Sequence, residues 1–188
     1  MVRILILGPP GAGKGTQAAV LSKELGVPHI STGELFREHI GDETQLGKKV
    51  KEYLDSGGLV PDQLTIDMVR ERLADVDCDG GFLLDGFPRT VKQAEVLADL
   101  LRTHGCELDA VLQLDVPEDV VVERLLARGR EDDTVDVIRR RQQVYQEETA
   151  PLLEFYSDRL VTVPAVGPVE NVTARALVVL HTPGVSRP

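Results

Sequence analysis

Apolar positions in this chain cluster in five short runs, Arg3–Leu7, Val27–Ile30, Gly81–Leu84, Ala110–Val116 and Leu160–Val163. These runs show little apolar/polar alternation, the pattern of strands buried on both faces. Between them, apolar residues recur at helical spacing. Thr16–Leu25 reads as a helix stopped by Gly26 in a left-handed conformation, and Ser31 with Glu34 fits a capping box that opens another. A polar helical stretch from about Gly41 to Asp75 is interrupted at Ser56-Gly57-Gly58 and at Pro61. Thr90–His104 forms a helix ended near Gly105, and Pro117 suits the first turn of one that runs to Arg128. After a polar loop, Gly129–Thr134, a long helix reaches about Tyr156, and Val169–Leu180 is the last. Strand–helix alternation predicts an α/β fold, a five-stranded parallel sheet with helices on both faces and right-handed crossovers. Two stretches do not serve the sheet: Ser31–Leu73 and the loop Gly129–Thr134. The tail His181–Pro188, with two prolines and a glycine, is expected to fray.

Composition narrows the function. With 188 residues, 42% hydrophobic and 28% charged, the chain is expected to form one domain with its own core. A net charge of −10 argues against a nucleic-acid coat or an anionic-membrane binder, because the long-range field repels polyanions. It does not exclude a small anion in a local basic cleft. Fifteen of the 21 basic residues are arginine, whose planar fork suits phosphate, although a GC-rich genome gives the same skew. Cys78 and Cys106 are too few for a disulfide framework or a four-cysteine zinc site. No run approaches a membrane span, and Ile4-Leu5-Ile6-Leu7 is too short for a signal-peptide core. A soluble, cytoplasmic chain is expected.

The chemistry begins at Gly8-Pro9-Pro10-Gly11-Ala12-Gly13-Lys14-Gly15-Thr16, which follows a strand and opens a helix. There, curled backbone N–H groups and a helix N-terminus can hold a phosphate while Lys14 reaches further along it. A second motif, Asp85-Gly86-Phe87-Pro88-Arg89-Thr90, ends another apolar run. An acidic residue there can orient Mg²⁺ through its water shell, and Arg89 leaves the strand end where open α/β sheets bind ligands. Arg124, Arg128 and Arg130 bracket a plausible hinge at Gly129, and Arg139, Arg140 and Arg141 follow. Arg139 and Arg140 suit a solvated face equally well. Ile30–Arg37 brings Arg37 to the start of a helix. His29, His39, His104 and His181 are scattered without metal spacing, and no Asn-Lys-x-Asp guanine reader is present.

In order along the chain, the Lys14-Gly15-Thr16 loop, Ser31-Thr32-Gly33, Gly58-Leu59-Val60-Pro61, Asp85–Arg89 with Gln93, and Arg139-Arg140-Arg141 before Ala150-Pro151-Leu152 resemble the adenylate kinase family from Arg3 to Leu180. The resemblance implies a three-layer P-loop NTPase fold spanning 1–188, with an NMP-binding insertion at 31–60, a short lid loop at 128–134 and a disordered tail at 182–188. It implies transfer of the γ-phosphoryl of MgATP to AMP, giving two ADP, by a monomer without a zinc knuckle. Gly11, Ala12, Gly13, Lys14, Gly15 and Thr16 would hold the ATP phosphates, with Mg²⁺ at Thr16 and Asp85. Arg124 and Arg128 would face ATP, and Gly167 would offer its backbone to adenine. Thr32, Arg37, Gly58, Leu59, Val60, Gly86, Phe87, Pro88, Arg89 and Gln93 would hold AMP, with Arg130 and Arg141 at the junction. Lys14, Asp85, Arg89, Arg124, Arg128, Arg130 and Arg141 would form the catalytic set. The spacing from Phe87-Pro88-Arg89 to Gln93 points to AMP over UMP or CMP as acceptor. No general base is required, because the second pKa of a phosphate monoester is ~6.

Overall fold

Five parallel strands carry the fold in the computed structural model, which describes residues 2–181. They are β1 (Val2–Leu7), β2 (His29–Ser31), β3 (Gly81–Asp85), β4 (Ala110–Asp115) and β5 (Leu160–Pro164), in the order β2-β3-β1-β4-β5. Ile4 on β1 pairs with Leu83 on one side and Ala110 on the other. Successive side chains of β1 serve opposite faces: Ile4 and Ile6 enter one apolar cluster, Leu5 and Leu7 the other. The first cluster packs under α1 (Lys14–Leu25), α6 (Glu118–Arg128) and α9 (Val169–His181), through Leu21, Val121 and Ala176. The second packs under α4 (Asp62–Leu73), α5 (Val91–Thr103) and α8 (Leu152–Phe155), through Val69, Leu97 and Leu152. Each such fully buried aliphatic side chain contributes roughly 1.5–3 kcal/mol. Among the described residues no helix is long and apolar enough to cross a membrane.

A helical lobe stands between β2 and β3. It comprises α2 (Thr32–Gly41), α3 (Gln45–Asp55) and part of α4, around its own cluster of Phe36, Val50, Val60 and Met68. Ser31 caps α2 by accepting from Glu34 N–H at 3.4 Å. Thr44 caps α3, accepting from Gly47 N–H at 2.9 Å while its hydroxyl donates to the His39 carbonyl at 3.1 Å. The helices meet at Gly47, where a Cβ would lie 2.0 Å from the His39 carbonyl oxygen.

Boundaries depart from the sequence expectation at several places, three of which bear on the architecture. The strand expected at Val27–Ile30 starts at His29, because Val27 N–H is spent on the Ser22 carbonyl in the C-terminal cap of α1. The long helix expected to reach Tyr156 is broken. α7 (Val135–Val144) passes into a π turn, Tyr145–Thr149, in which Ala150 N–H reaches back to the Tyr145 carbonyl at 2.8 Å. Pro151, without an N–H, then separates the short α8. His181, expected to open the tail, is the last residue of α9, and 182–188 lie outside the described residues.

Gly47→Ala tests the lobe packing. The added methyl must push α2 and α3 apart, so urea unfolding should show a loss of about 1–3 kcal/mol. Unchanged stability would refute the backbone contact.

Candidate active site

At the end of β1 the chain turns through Gly8–Gly13 and enters α1. The N-cap, Gly13, is left-handed and has no side chain to satisfy the first turn, so backbone donors at the start of α1 stay available to an anion. Lys14 curls back over the loop, its Nζ donating to the Gly8 and Pro9 carbonyls at 2.8 and 3.0 Å. Burial lowers its pKa to about 8; Asp85 opposes the shift, and Arg89 and Arg128 add to it.

β3 ends beside this loop. Asp85 is buried, and a Cβ built on Gly15 would lie 3.6 Å from its Oδ2, so the carboxylate stands against the start of α1. His29 Nε2, buried and without a hydrogen-bond partner, lies 3.7 Å from the same oxygen. Gly86 follows at φ 82°, where a Cβ would come within 2.7 Å of Thr32 Oγ1. Thr32 Oγ1 and Arg89 Nε both donate to the Gly86 carbonyl, at 2.9 and 3.0 Å. These contacts turn Arg89 into the cleft, where burial lowers its pKa against the pull of Asp85.

The remaining arginines come from α6, the following loop and α7, except Arg37, which comes from α2. Arg124 bridges two walls, donating to the Ala12 carbonyl at 3.3 Å and the Ala165 carbonyl at 3.0 Å. Arg128 grips Asp133 with both arms of its fork, at 2.8 and 2.6 Å. Asp133 also accepts from Arg130 N–H at 3.1 Å and from Arg141 at 3.3 Å, while Arg141 pairs with Asp132. Burial raises the Asp133 pKa, but Arg128 and the Arg130 N–H outweigh it and hold the carboxyl below its usual range. Arg141 is pulled down to about 10, first by burial and then by Arg128, Arg89, Arg130 and Arg37. Arg37 and Arg130 are lowered in the same way, burial being the largest cause for each.

These elements enclose a cleft of ≈ 1180 Å³, more than the ~300–1,000 Å³ of a typical small-molecule pocket. Of the residues expected from the sequence, Gly11–Thr16, Arg37, Gly58, Leu59, Asp85, Gly86, Pro88, Arg89, Arg124, Arg128, Arg130, Arg141 and Gly167 line it. Thr32, Val60, Phe87 and Gln93 are buried beside it without lining it. Gln93 Oε1 accepts from Arg89 N–H at 2.7 Å, and its Nε2 donates to Asp62 Oδ1 at 2.8 Å. Arg139 and Arg140 are exposed outside the lining. The sequence reading missed Asp132 and Asp133, whose only signal was an acidic pair inside an arginine-rich loop. It also missed Thr149, which donates to the Arg89 carbonyl at 2.9 Å, and Gln142, which donates to the Pro10 carbonyl at 3.1 Å. Among the described residues no cluster of three or more His, Cys, Asp or Glu side chains could hold a metal ion. A cleft with this density of cations, donating backbone and a carboxylate suits polyphosphate chemistry.

Comparison with known proteins agrees. The adenylate kinase family model matches residues 6–161. The chain is 58% identical over 179 residues to the adenylate kinase of Rhodococcus erythropolis, covering 95% of this chain and 99% of that protein. It is 57% identical to the adenylate kinase of Corynebacterium diphtheriae and 56% identical to that of Mycobacterium tuberculosis. Each of these matches covers 94% of this chain and 97% of the relative.

The depressed Lys14 pKa has a consequence for stability. Unfolded, Lys14 titrates at 10.5; folded, at about 8. Between these values the unfolded chain holds more protons, so this group's contribution to stability rises with pH. The stability of the wild type relative to Lys14→Met should therefore climb between about pH 8 and 10.5 in urea unfolding. A flat difference across that window would refute the buried amine.

Proposed function

The chain belongs to the adenylate kinase family, and from that premise we propose how its cleft divides the work. The reaction is reversible transfer of the terminal phosphoryl group of ATP to AMP, giving two ADP. The observation that carries the division is the convergence of Lys14, Arg37, Arg89, Arg128, Arg130 and Arg141 on one cleft between the sheet ends and the helical lobe. Gly11–Thr16 hold the ATP phosphates, with Lys14 as the mobile charge. Arg124 and Arg128 face ATP, and Gly167 meets the donor base. The insertion 31–60 holds AMP: Arg37 and Arg89 take its phosphate, and the Gly58-Leu59-Val60 and Gly86-Phe87-Pro88 turns shape the pocket. Thr32 acts through the Gly86 carbonyl, and Gln93 keeps one lone pair and one N–H for the acceptor base. Arg130 and Arg141 stand at the junction.

The residues at the end of β3 fit Mg²⁺, which binds through one or two carboxylates, retained waters and substrate phosphates rather than a closed protein cage. Asp85 beside the start of α1 and the exposed Thr16 are such a set. Held there by Asp85 and Thr16 through retained waters, Mg²⁺ would supply positive charge against the phosphate oxygens. The protein's own part is placement. The attacking AMP oxygen is already ionised at pH 7, so no side chain needs to take a proton. The arginines and Lys14 cancel the repulsion between two polyanions and hold them in line. On this reading the 128–134 loop is the lid: Arg128 and Arg141 leave Asp133 and Asp132 for phosphate oxygens as it closes and excludes water. A monomeric, cytoplasmic, zinc-free enzyme completes the proposal.

A coupled assay with ATP and each of AMP, CMP, UMP and GMP should give the highest kcat/KM with AMP. A higher value for CMP or UMP would overturn the acceptor assignment. Arg89→Lys keeps the charge but loses the fork and the Nε anchor on Gly86, so kcat should fall ~10²–10³-fold. The KM for AMP should rise while that for ATP moves much less. Near-normal kcat with an unchanged AMP KM would remove Arg89 from the site.

A further inference from the structure

α4 begins at Asp62, where the helical lobe joins the rest of the molecule. The Asp62 side chain is half-buried and does not line the cleft. Its Oδ1 accepts from Gln93 Nε2 at 2.8 Å and from Thr90 Oγ1 at 3.3 Å. Gln93 is only 2% exposed, and its Oε1 accepts from Arg89 N–H at 2.7 Å.

The two ends of an amide side chain are nearly equal in shape, so its orientation is decided by what faces each end. An ionised carboxylate only accepts, which requires the NH₂ group to face Asp62. The amide oxygen then faces the Arg89 N–H. The flipped amide would set oxygen against carboxylate and NH₂ against N–H, losing both bonds inside a buried site. Asp62 thereby fixes Gln93, and Gln93 fixes the backbone nitrogen of Arg89. The Arg89 carbonyl is held independently by Thr149.

We infer that Asp62 is a positioning residue for the acceptor half of the reaction, acting on Arg89 through the oriented amide of Gln93. This rests on the reading of Arg89 as a ligand of the AMP phosphate. It differs from a helix-start role: Asp62 also lies in the first turn of α4, where a negative charge is favourable, but that role needs the charge and not the hydrogen bond.

Three variants separate the two. Asp62→Ala removes both charge and acceptor. Asp62→Asn removes the charge and keeps an oxygen for Gln93. Asp67→Ala, on the exposed side of α4, removes an acid that among the described residues pairs with Gln63 and Arg70. Asp62→Ala should raise the KM for AMP about tenfold and lower kcat, the scale of leaving one buried polar group unpaired. The KM for ATP should stay within about twofold, and Asp62→Asn and Asp67→Ala should both behave like the wild type. Should Asp62→Ala fail to fold, Asp62→Ser, which keeps a helix-start residue but falls short of Gln93, carries the comparison. Independently of turnover, the Gln93 side-chain amide protons read by NMR should exchange slowly in the wild type and Asp62→Asn, and fast in Asp62→Ala. Equal exchange in all three, an equal rise in both KM values, or Asp62→Asn as impaired as Asp62→Ala would overturn the inference. Near-normal kcat and an unchanged AMP KM in Arg89→Lys while the exchange pattern holds would instead overturn the reading of Arg89.

Discussion

Repulsion among the cations gathered on one cleft is the constraint on which the rest of this molecule depends. Lys14, Arg37, Arg89, Arg130 and Arg141 each sit where burial disfavours the charged form, and each feels at least one of the other cleft arginines or the carboxylate of Asp85. Such a cluster is held in place where the amine or a guanidinium has an acceptor in a fixed position. Lys14 takes the Gly8 and Pro9 carbonyls, Arg89 the Gly86 carbonyl, and Arg124 those of Ala12 and Ala165. Arg128 and Arg141 take Asp133 and Asp132. Backbone carbonyls hold the cations nearest the sheet, and carboxylates of the 129–134 loop hold Arg128 and Arg141. A carbonyl does not move relative to its strand, whereas a side chain on a six-residue loop does.

The scaffold is stiff where stiffness is required. β1 and β3 are buried on both faces, so the turns at their ends inherit fixed positions from two apolar clusters at once. The helical lobe differs: it has its own core, and α4 belongs to both bodies, with Met68 in the lobe cluster and Ile66 and Val69 under the sheet. The 129–134 loop contributes no residue to any of the three clusters among the described residues, and its ties to Arg128 and Arg141 are charge-assisted hydrogen bonds. Exchanging such bonds for bonds to phosphate costs no apolar burial, which is why a loop this short can serve the role proposed for it.

The residues that would touch ligand were readable in the sequence because their chemistry is local. A strand, a glycine turn, Lys14 and a helix start follow one another within a few positions. The Asp85–Arg89 motif is equally contiguous, and both-face burial wrote the strands as apolar runs. What escaped the sequence was non-local. The π turn at Tyr145–Thr149 shows no break in helical periodicity, yet it places Thr149 on the Arg89 carbonyl 60 residues away. The start of β2 depended on whether Val27 N–H joined the ladder or the cap of α1. His29 looked inert by spacing and lies beside Asp85 only because β2 and β3 are neighbours, with His29 paired to Leu83.

Apart from Asp85, the acidic residues were the least legible part of the site in the sequence, and the reason is physical. Read along the chain, an excess of carboxylates gives a net charge of −10 and a field that repels polyanions. Read in the fold, four of them are tied to the cleft. Asp85 stands at the start of α1, Asp132 and Asp133 hold Arg141 and Arg128, and Asp62 reaches Gln93. Pairing a half-buried arginine with a carboxylate adds little net stability, since desolvation offsets most of the attraction. What the pairing supplies is geometry: Asp133 alone accepts from Arg128, Arg130 and Arg141, and so gathers donors from α6, the loop and α7 at one point. Screening over ~8–10 Å removes the distant acids from the local balance, and within that radius the gathered cations set the sign of the field. An acidic protein is thus compatible with a strongly cationic site, provided that some of its acids serve to assemble the cations.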